Sequence, residues 1–322
     1  MHRNFLRALA CATALLAGTA HADSYPSKPV SMIVPYPAGG ATDVVARAVA
    51  EKLTQSWGQS VIVENRAGAG TTIGASSVAR APGDGYTLFM TTSAHTISGH
   101  LYKKLNYDPV KDFAPITLIT RVPLVLVVNP AVPAKTLQEF LAYLKQNGGS
   151  VNFASPGNGT AQHLSGELFK IATKSGITHV PYRGDAPAFT DLAGGQVQMM
   201  LATITSALPL IESGKLRALA VANGKRVQAL RDVPTFAEAG MPGFEAATWF
   251  GLLAPASLPQ AQAQRIYEDV SKIVATPAMQ TRIEAMGGDV VNSTPQAFAT
   301  FMAQEQKKWG QAVKASGAVA QQ

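Results

Sequence analysis

The segment Pro35-Tyr36-Pro37-Ala38-Gly39-Gly40-Ala41-Thr42-Asp43 joins an apolar run, Val30–Val34, to an amphipathic stretch, with no lysine or arginine before Arg47. A strand that ends in a glycine turn and continues as a helix leaves first-turn N–H groups without intrahelical acceptors at the positive end of the helix dipole. Such a turn can hold an anion with backbone alone. The same prolines and glycines also suffice for a plain chain reversal. For this loop taken singly, both readings stand.

The device recurs. Ser155-Pro156-Gly157-Asn158-Gly159-Thr160 lies between the strand pattern Val151–Ala154 and the helix pattern Thr160–Lys174. If the two loops face each other at the C-terminal ends of parallel strands, they meet where open α/β sheets bind ligands. That pairing suits a small molecule with two carboxylates, or with one carboxylate and a polar group. Arg183-Gly184-Asp185 follows a third such strand, His179–Tyr182. Asp185 could accept an ammonium group and Arg183 could pair with a carboxylate; a solvated loop is the alternative for each.

Other chemistries lack their residues. Gly68, Gly70 and Gly74 follow a strand, but their GxGxxxG spacing departs from the dinucleotide fingerprint, and chain packing or a loop at the cleft rim explains them. No GK[ST] follows a glycine run, and neither a GxSxG elbow nor an SxxK pair occurs. His95 and His100 are wrongly spaced for a zinc helix, and His163 and His179 stand apart in sequence, which favours structural or rim roles. We therefore expect no enzyme activity, no metal and no cofactor.

Arg3 and Arg7 precede the alanine-rich run Ala8–Ala20, and Ala20-His21-Ala22 fits the small-x-small rule, so Met1–Ala22 reads as a secretory signal cleaved after Ala22. Cys11, the single cysteine of the 322 residues, falls inside it, leaving no thiol chemistry to the exported chain. Without Arg3 and Arg7 the chain carries 25 basic against 20 acidic side chains, a balance of +5. Those charges are scattered; Lys103-Lys104 and Lys307-Lys308 are pairs without interleaved aromatics, so nucleic acid is not expected. No later apolar run reaches the ~20 residues needed to span a bilayer.

These loops require a frame. Val30–Val34, Val61–Val63 and Tyr86–Met90 alternate with helices that begin at Thr42-Asp43 and Thr72, the first ending at Trp57-Gly58. Alternation of this kind implies a parallel, right-handed α/β sheet. Ile116–Asn129, interrupted at Arg121-Val122-Pro123, is long enough to leave one sheet and enter another. A second series then runs from Leu137 to Val221, a second crossing is expected at Thr248–Pro255, and three helices close the chain. The fold class is α/β, in two lobes.

Taken in order, "YPSKPVSMIVPYPAGGATDVVAR", "GQSVIVENRAGAGTTIGA", "PGDGYTL", "SPGNGTAQHLSGELF", "HVPYRGDAPAFTDLAGGQVQMM" and "VPTFAEAGMPGFEAATWFGLLAP" resemble the Bug-type solute receptors of tripartite tricarboxylate transporters. The resemblance spans essentially the whole exported chain. It implies a two-lobed periplasmic binding protein (Venus-flytrap, type II-like) with two crossing hinge strands, residues 23–123 and 246–295 forming one lobe and 124–245 and 296–322 the other. It implies a monomeric receptor in the periplasm that passes a small carboxylated solute to membrane permease subunits. Carried over by position, the ligand-binding residues are Tyr36, Ala38, Gly39, Thr42 and Asp43 in the first loop, Asp43 shaping the turn, and Ser155, Asn158, Gly159, Thr160 and His163 in the second. Asp185 stands where the resemblance leads one to expect a small residue. Two rivals share the fold class: a sensory receptor presenting its ligand to a membrane partner, and an exported α/β hydrolase, for which the sequence supplies no nucleophile motif.

Overall fold

A strand covered by helices on both faces has no solvent side, and Val30–Val34 (β1) has the near-continuous apolar sequence that this demands. The computed structural model describes residues 25–102 and 104–318, so the signal segment, its cleavage point and Cys11 lie outside the described residues. β1 pairs in parallel with Val61–Asn65 (β2) and with Thr87–Thr92 (β3). Ala41–Trp57 (α1) buries Val45, Ala46, Val49 and Leu53, and closes at Gly58, whose φ of 66° is the left-handed geometry that favours glycine at a helix end. Thr72–Ala79 (α2) and Ser93–Leu101 (α3) complete the first series. The sequence pattern does not announce α3: it is short and rich in serine, threonine and histidine, and it is set by Thr92, whose hydroxyl accepts the Ala94 amide.

Phe113–Val128 (β4) is one uninterrupted strand. Its residues 113–123 pair antiparallel with Ala247–Pro255 (β9), whereas 124–128 pair with Met199–Thr203 (β7) and Arg217–Val221 (β8). Pro123, expected to break the run, sits where the strand exchanges partners, a position at which its missing N–H disturbs neither ladder. The second crossing comes slightly earlier than Thr248. β9 stays within the first sheet, and the chain crosses at Ala246, whose amide donates to Ala222 O at 3.0 Å and whose carbonyl accepts the Leu124 amide at 2.9 Å. The two crossings therefore run side by side.

The second series comprises Leu137–Asn147 (α4), Asn152–Ser155 (β5), Ala161–Thr173 (α5), Thr178–Pro181 (β6), Asp185–Ala193 (α6), β7, Ile204–Glu212 (α7) and β8. β5 pairs in parallel with β6 and β7. The strand order is β2-β1-β3-β9-β4-β7-β5-β6, two parallel α/β units joined through the antiparallel pair β9 and β4.

Gln260–Val274 (α8), Pro277–Ala285 (α9), the short strand Asp289–Val290 (β10) and Pro295–Ser316 (α10) end the described chain. Grouping 296–322 with the second lobe does not describe how α10 packs. Phe298 and Met302 enter the first-lobe cluster of Ile33, Phe89, Trp249 and Leu253. Further along, Trp309 and Val313 pack on Ile97 and Leu101 of α3 and on Ala161 and Leu164 of α5. An amphipathic repeat specifies that one face is buried, not what covers it; here the 22-residue helix spans both lobes.

Candidate functional site

The first glycine loop is held by a carboxylate behind it. Asp43 Oδ2 accepts the Gly39 amide at 2.9 Å and Arg47 Nε at 2.8 Å, while Oδ1 accepts Asn65 Nδ2 at 2.9 Å. Asn65 Nδ2 also donates to the Tyr36 carbonyl at 2.9 Å. Burial alone would raise the Asp43 pKa, but the bonds from Arg47, the Gly39 amide and Asn65 outweigh it and hold the carboxyl below its usual range. The helix begins one residue before the expected Thr42-Asp43 start: Gly40 is the N-cap, and Asp43 reaches back from the first turn rather than capping it. Gly39, at φ +85°, takes a turn geometry open to glycine.

An imidazole pair holds the second loop. The Gly159 amide donates to His163 Nδ1 at 3.2 Å, which in the neutral ring leaves the proton on Nε2. His179 Nε2 lies 2.7 Å from Ser155 Oγ, and that hydroxyl accepts the Gly157 amide at 3.2 Å. Thr160 Oγ1 donates to the Gly157 carbonyl at 2.8 Å and accepts the His163 amide at 3.2 Å, capping α5. His163 and His179, far apart in sequence, stack with centroids 4.0 Å apart. Burial depresses both, His163 to about 4 and His179 to about 3, the second lowered further by its neighbour's charge.

Across the cleft the lobes touch. Asp185, the first residue of α6 in the second lobe, accepts the Ala41 amide of the first lobe through Oδ2 at 3.3 Å and Ser206 Oγ at 2.7 Å. Its Oδ1 is buried with no hydrogen-bond partner among the described residues, although the residue as a whole is only partly buried. Burial raises this carboxyl's pKa, and the bonds from Ser206 and Ala41 offset part of that.

Two cavities occupy the seam. A small one, about 30 Å³, is lined by Tyr36, Ala38, Gly40 and Thr42 from the first loop and by Gln162, Asp185 and Thr203 from the second lobe, with Thr92, Thr248 and Phe250 behind. A larger one, about 600 Å³, is bounded by Gly68–Thr71, Tyr102, Asn158, Thr160, Tyr182 and Arg183. Tyr36, Pro37 and Pro156 line both, so the two loops share a wall. Arg183 is the one cation among the described residues lining either cavity.

Of the residues singled out from sequence, Tyr36, Ala38, Thr42, Asn158, Thr160 and Asp185 line a cavity. Gly39, Asp43, Ser155, Gly159 and His163 do not; they shape the loops from behind. Sequence reasoning missed Thr92, Thr203, Thr248 and Gln162, whose Nε2 donates to Thr203 Oγ1 at 2.8 Å. The available signal was position: Gln162 sits in the helix turn after the loop, and Thr92 and Thr203 end strands that point into the cleft. The Gly68–Thr71 loop is cleft wall, with φ values of 45° at Ala69, 59° at Gly70 and 81° at Thr71.

Two α/β lobes joined by adjacent crossings, with a polar cleft between loops from each, define a two-lobed solute-binding protein. Residues 45–318 match the family described as "Tripartite tricarboxylate transporter family receptor", and the chain belongs to that family, as a receptor of the Bug type. It is 38% identical over 309 residues to the protein BugT of Bordetella pertussis, covering 95% of each chain. Among solved structures it is similar to R. palustris Rpa4515 with adipate, at TM-score 0.89 and 34% identity, covering 92% of this chain and 99% of that one. It is likewise similar to MatC from Rhodopseudomonas palustris with bound malate, at TM-score 0.84 and 34% identity, covering 90% and 100%. These relatives are binding proteins, and a binding role, not catalysis, is the function of the chain.

Proposed function

We propose that the protein captures a small carboxylated metabolite between its lobes in the periplasm, after removal of Met1–Ala22, and delivers it as a monomer to the permease subunits of a tripartite transporter. The observation that carries this reading is the shared wall: loops from opposite lobes, each opening a helix, meet at Tyr36, Pro37 and Pro156 on one cleft. Adipate and malate in the two related structures are both carboxylates. The amides of the loop residues Gly40 and Asn158 donate to no acceptor among the described residues, and both residues line the cleft, where helix dipoles add to the pull on an anion.

Closure follows from the same geometry. Only when the lobes meet can one solute touch both loops, so the ligand shifts the population toward the closed form by contacts that the open form lacks. The side-by-side crossings at Pro123–Leu124 and Ala246 are the hinge in this reading. Among the described residues no helix is long and apolar enough to cross a membrane, which fits a receptor that hands its cargo to a separate permease.

Calorimetry against C4–C6 dicarboxylates, acidic amino acids and aromatic acids tests the reading. Saturable binding of at least one acid is expected. Silence across the panel from a folded, ligand-free protein overturns it.

A further inference from the structure

Asp185 presents a problem that its own chain does not solve. Buried carboxylates are normally paired or fully hydrogen-bonded, and each exception calls for a reason. Oδ2 has the Ala41 amide and Ser206, but Oδ1 is buried with no partner among the described residues. None of the ion pairs among the described residues includes Asp185. A carboxylate accepts and cannot donate, so whatever meets Oδ1 must bring a proton on its own nitrogen or oxygen.

The surroundings narrow the choice. The cavity beside Asp185, about 30 Å³, is the size of a water molecule or an ammonium group. Its other polar lining, from Tyr36, Thr42, Gln162 and Thr203, is uncharged. The adjoining space of about 600 Å³, across the shared wall of Tyr36, Pro37 and Pro156, is roomy enough for the remainder of a small metabolite and holds Asn158 and Arg183. A purely anionic ligand in this cleft would be repelled by Asp185 in a medium that screens poorly. A ligand carrying its own cation removes the repulsion and supplies the missing donor with one group.

We propose that Asp185 is the cation-recognition point of the cleft and that the receptor selects an amino-carboxylate, its ammonium seated against Asp185 Oδ1 and its carboxylate held by loop amides. This rests on the carboxylate reading above and adds a specificity to it. The Ala41 and Ser206 bonds fix the carboxylate's orientation, leaving Oδ1 as the free acceptor. Because Ala41 belongs to the opposite lobe, the recognition point is complete only on closure.

The test uses matched acids that share a carbon skeleton and differ at one substituent: succinate, malate and aspartate; glutarate, 2-hydroxyglutarate and glutamate; adipate and 2-aminoadipate; hydrocinnamate and phenylalanine. Calorimetry on the wild-type protein is expected to show, in at least one set, the ammonium-bearing member binding at least about tenfold tighter than the unsubstituted acid, with any hydroxyl member between them. Asp185→Ala and Asp185→Ser are expected to erase that ratio, the ammonium-bearing member losing more affinity than the unsubstituted acid of its set. Equal or tighter wild-type binding of the unsubstituted or hydroxyl members overturns the assignment and leaves the carboxylate reading intact. Binding of no acid in any set removes the carboxylate reading and the assignment together. Should the variants not fold, the wild-type ratios decide alone.

Discussion

His163 and His179 stack with ring centroids 4.0 Å apart, one accepting the Gly159 amide and the other meeting Ser155 Oγ, so a single imidazole pair fixes both ends of the second glycine loop. Each ring is buried and kept neutral, with pKa values depressed from 6.5 to about 4 and about 3. A histidine whose folded pKa is lowered contributes stability that is complete above its unfolded value and is lost as pH falls toward the folded one. Thermal melts should therefore be flat above pH about 6.5 and decline between there and about 4. Replacing His179 with Gln should lower stability at neutral pH and flatten that acid slope; an unchanged slope in the variant would assign the decline to other groups.

Asp43 acts in the opposite place, behind the first loop. Its carboxyl is held below the usual range, so its contribution is present above the unfolded value near 3.8 and disappears only as pH falls through the lower folded value. Asp43→Ala strips acceptors from the Gly39 amide, Arg47 and Asn65 together. A loss of about 2–4 kcal/mol in denaturant unfolding is expected, against under about 1 kcal/mol for Arg47→Ala, whose side chain is half exposed.

Gly184 tests closure. A methyl group added there would stand 3.0 Å from Pro37 Cγ, a ring carbon of the opposite lobe that cannot rotate away. The residue's φ of +109° also strains any side chain. Gly184→Ala should cost about 1 kcal/mol of stability and at least about tenfold in ligand affinity, with small-angle scattering showing less compaction on ligand addition than in the wild type.

Glu305 tests the bridging helix. Its Oε2 accepts Trp249 Nε1 from the strand β9 at 3.1 Å and Trp309 Nε1 at 2.7 Å, and the residue is 7% exposed. Glu305→Ala leaves two indole donors buried and unpaired, and should destabilise the protein by about 2–4 kcal/mol. Glu305→Gln, which keeps an acceptor oxygen, should retain more of that stability.

Much of the frame was legible because it is local. The apolar run of β1, the glycine that ends α1 and the length of β4 each follow from composition over a few residues, and the structure has all three. The two glycine loops were legible for the same reason. What escaped depends on contacts between distant parts of the chain. The His163–His179 stack joins residues on α5 and β6, the seat of α10 depends on Trp249 and α3, and Asp185 meets the Ala41 amide only across the cleft. A sequence specifies that His163 stands in the first turn of a helix, between Gln162 and Leu164; it does not say that another imidazole covers it.

The central claim is that loop amides from both lobes, not side-chain cations, neutralise the bound carboxylate. A crystal structure of the complex with the tightest acid from the calorimetric panel measures this directly. Carboxylate oxygens within about 3.2 Å of amide nitrogens from the Ala38–Thr42 and Gly157–Gln162 segments are the result expected. A carboxylate paired with the Arg183 guanidinium, or one bound outside the cleft between Tyr36 and Pro156, would contradict the account.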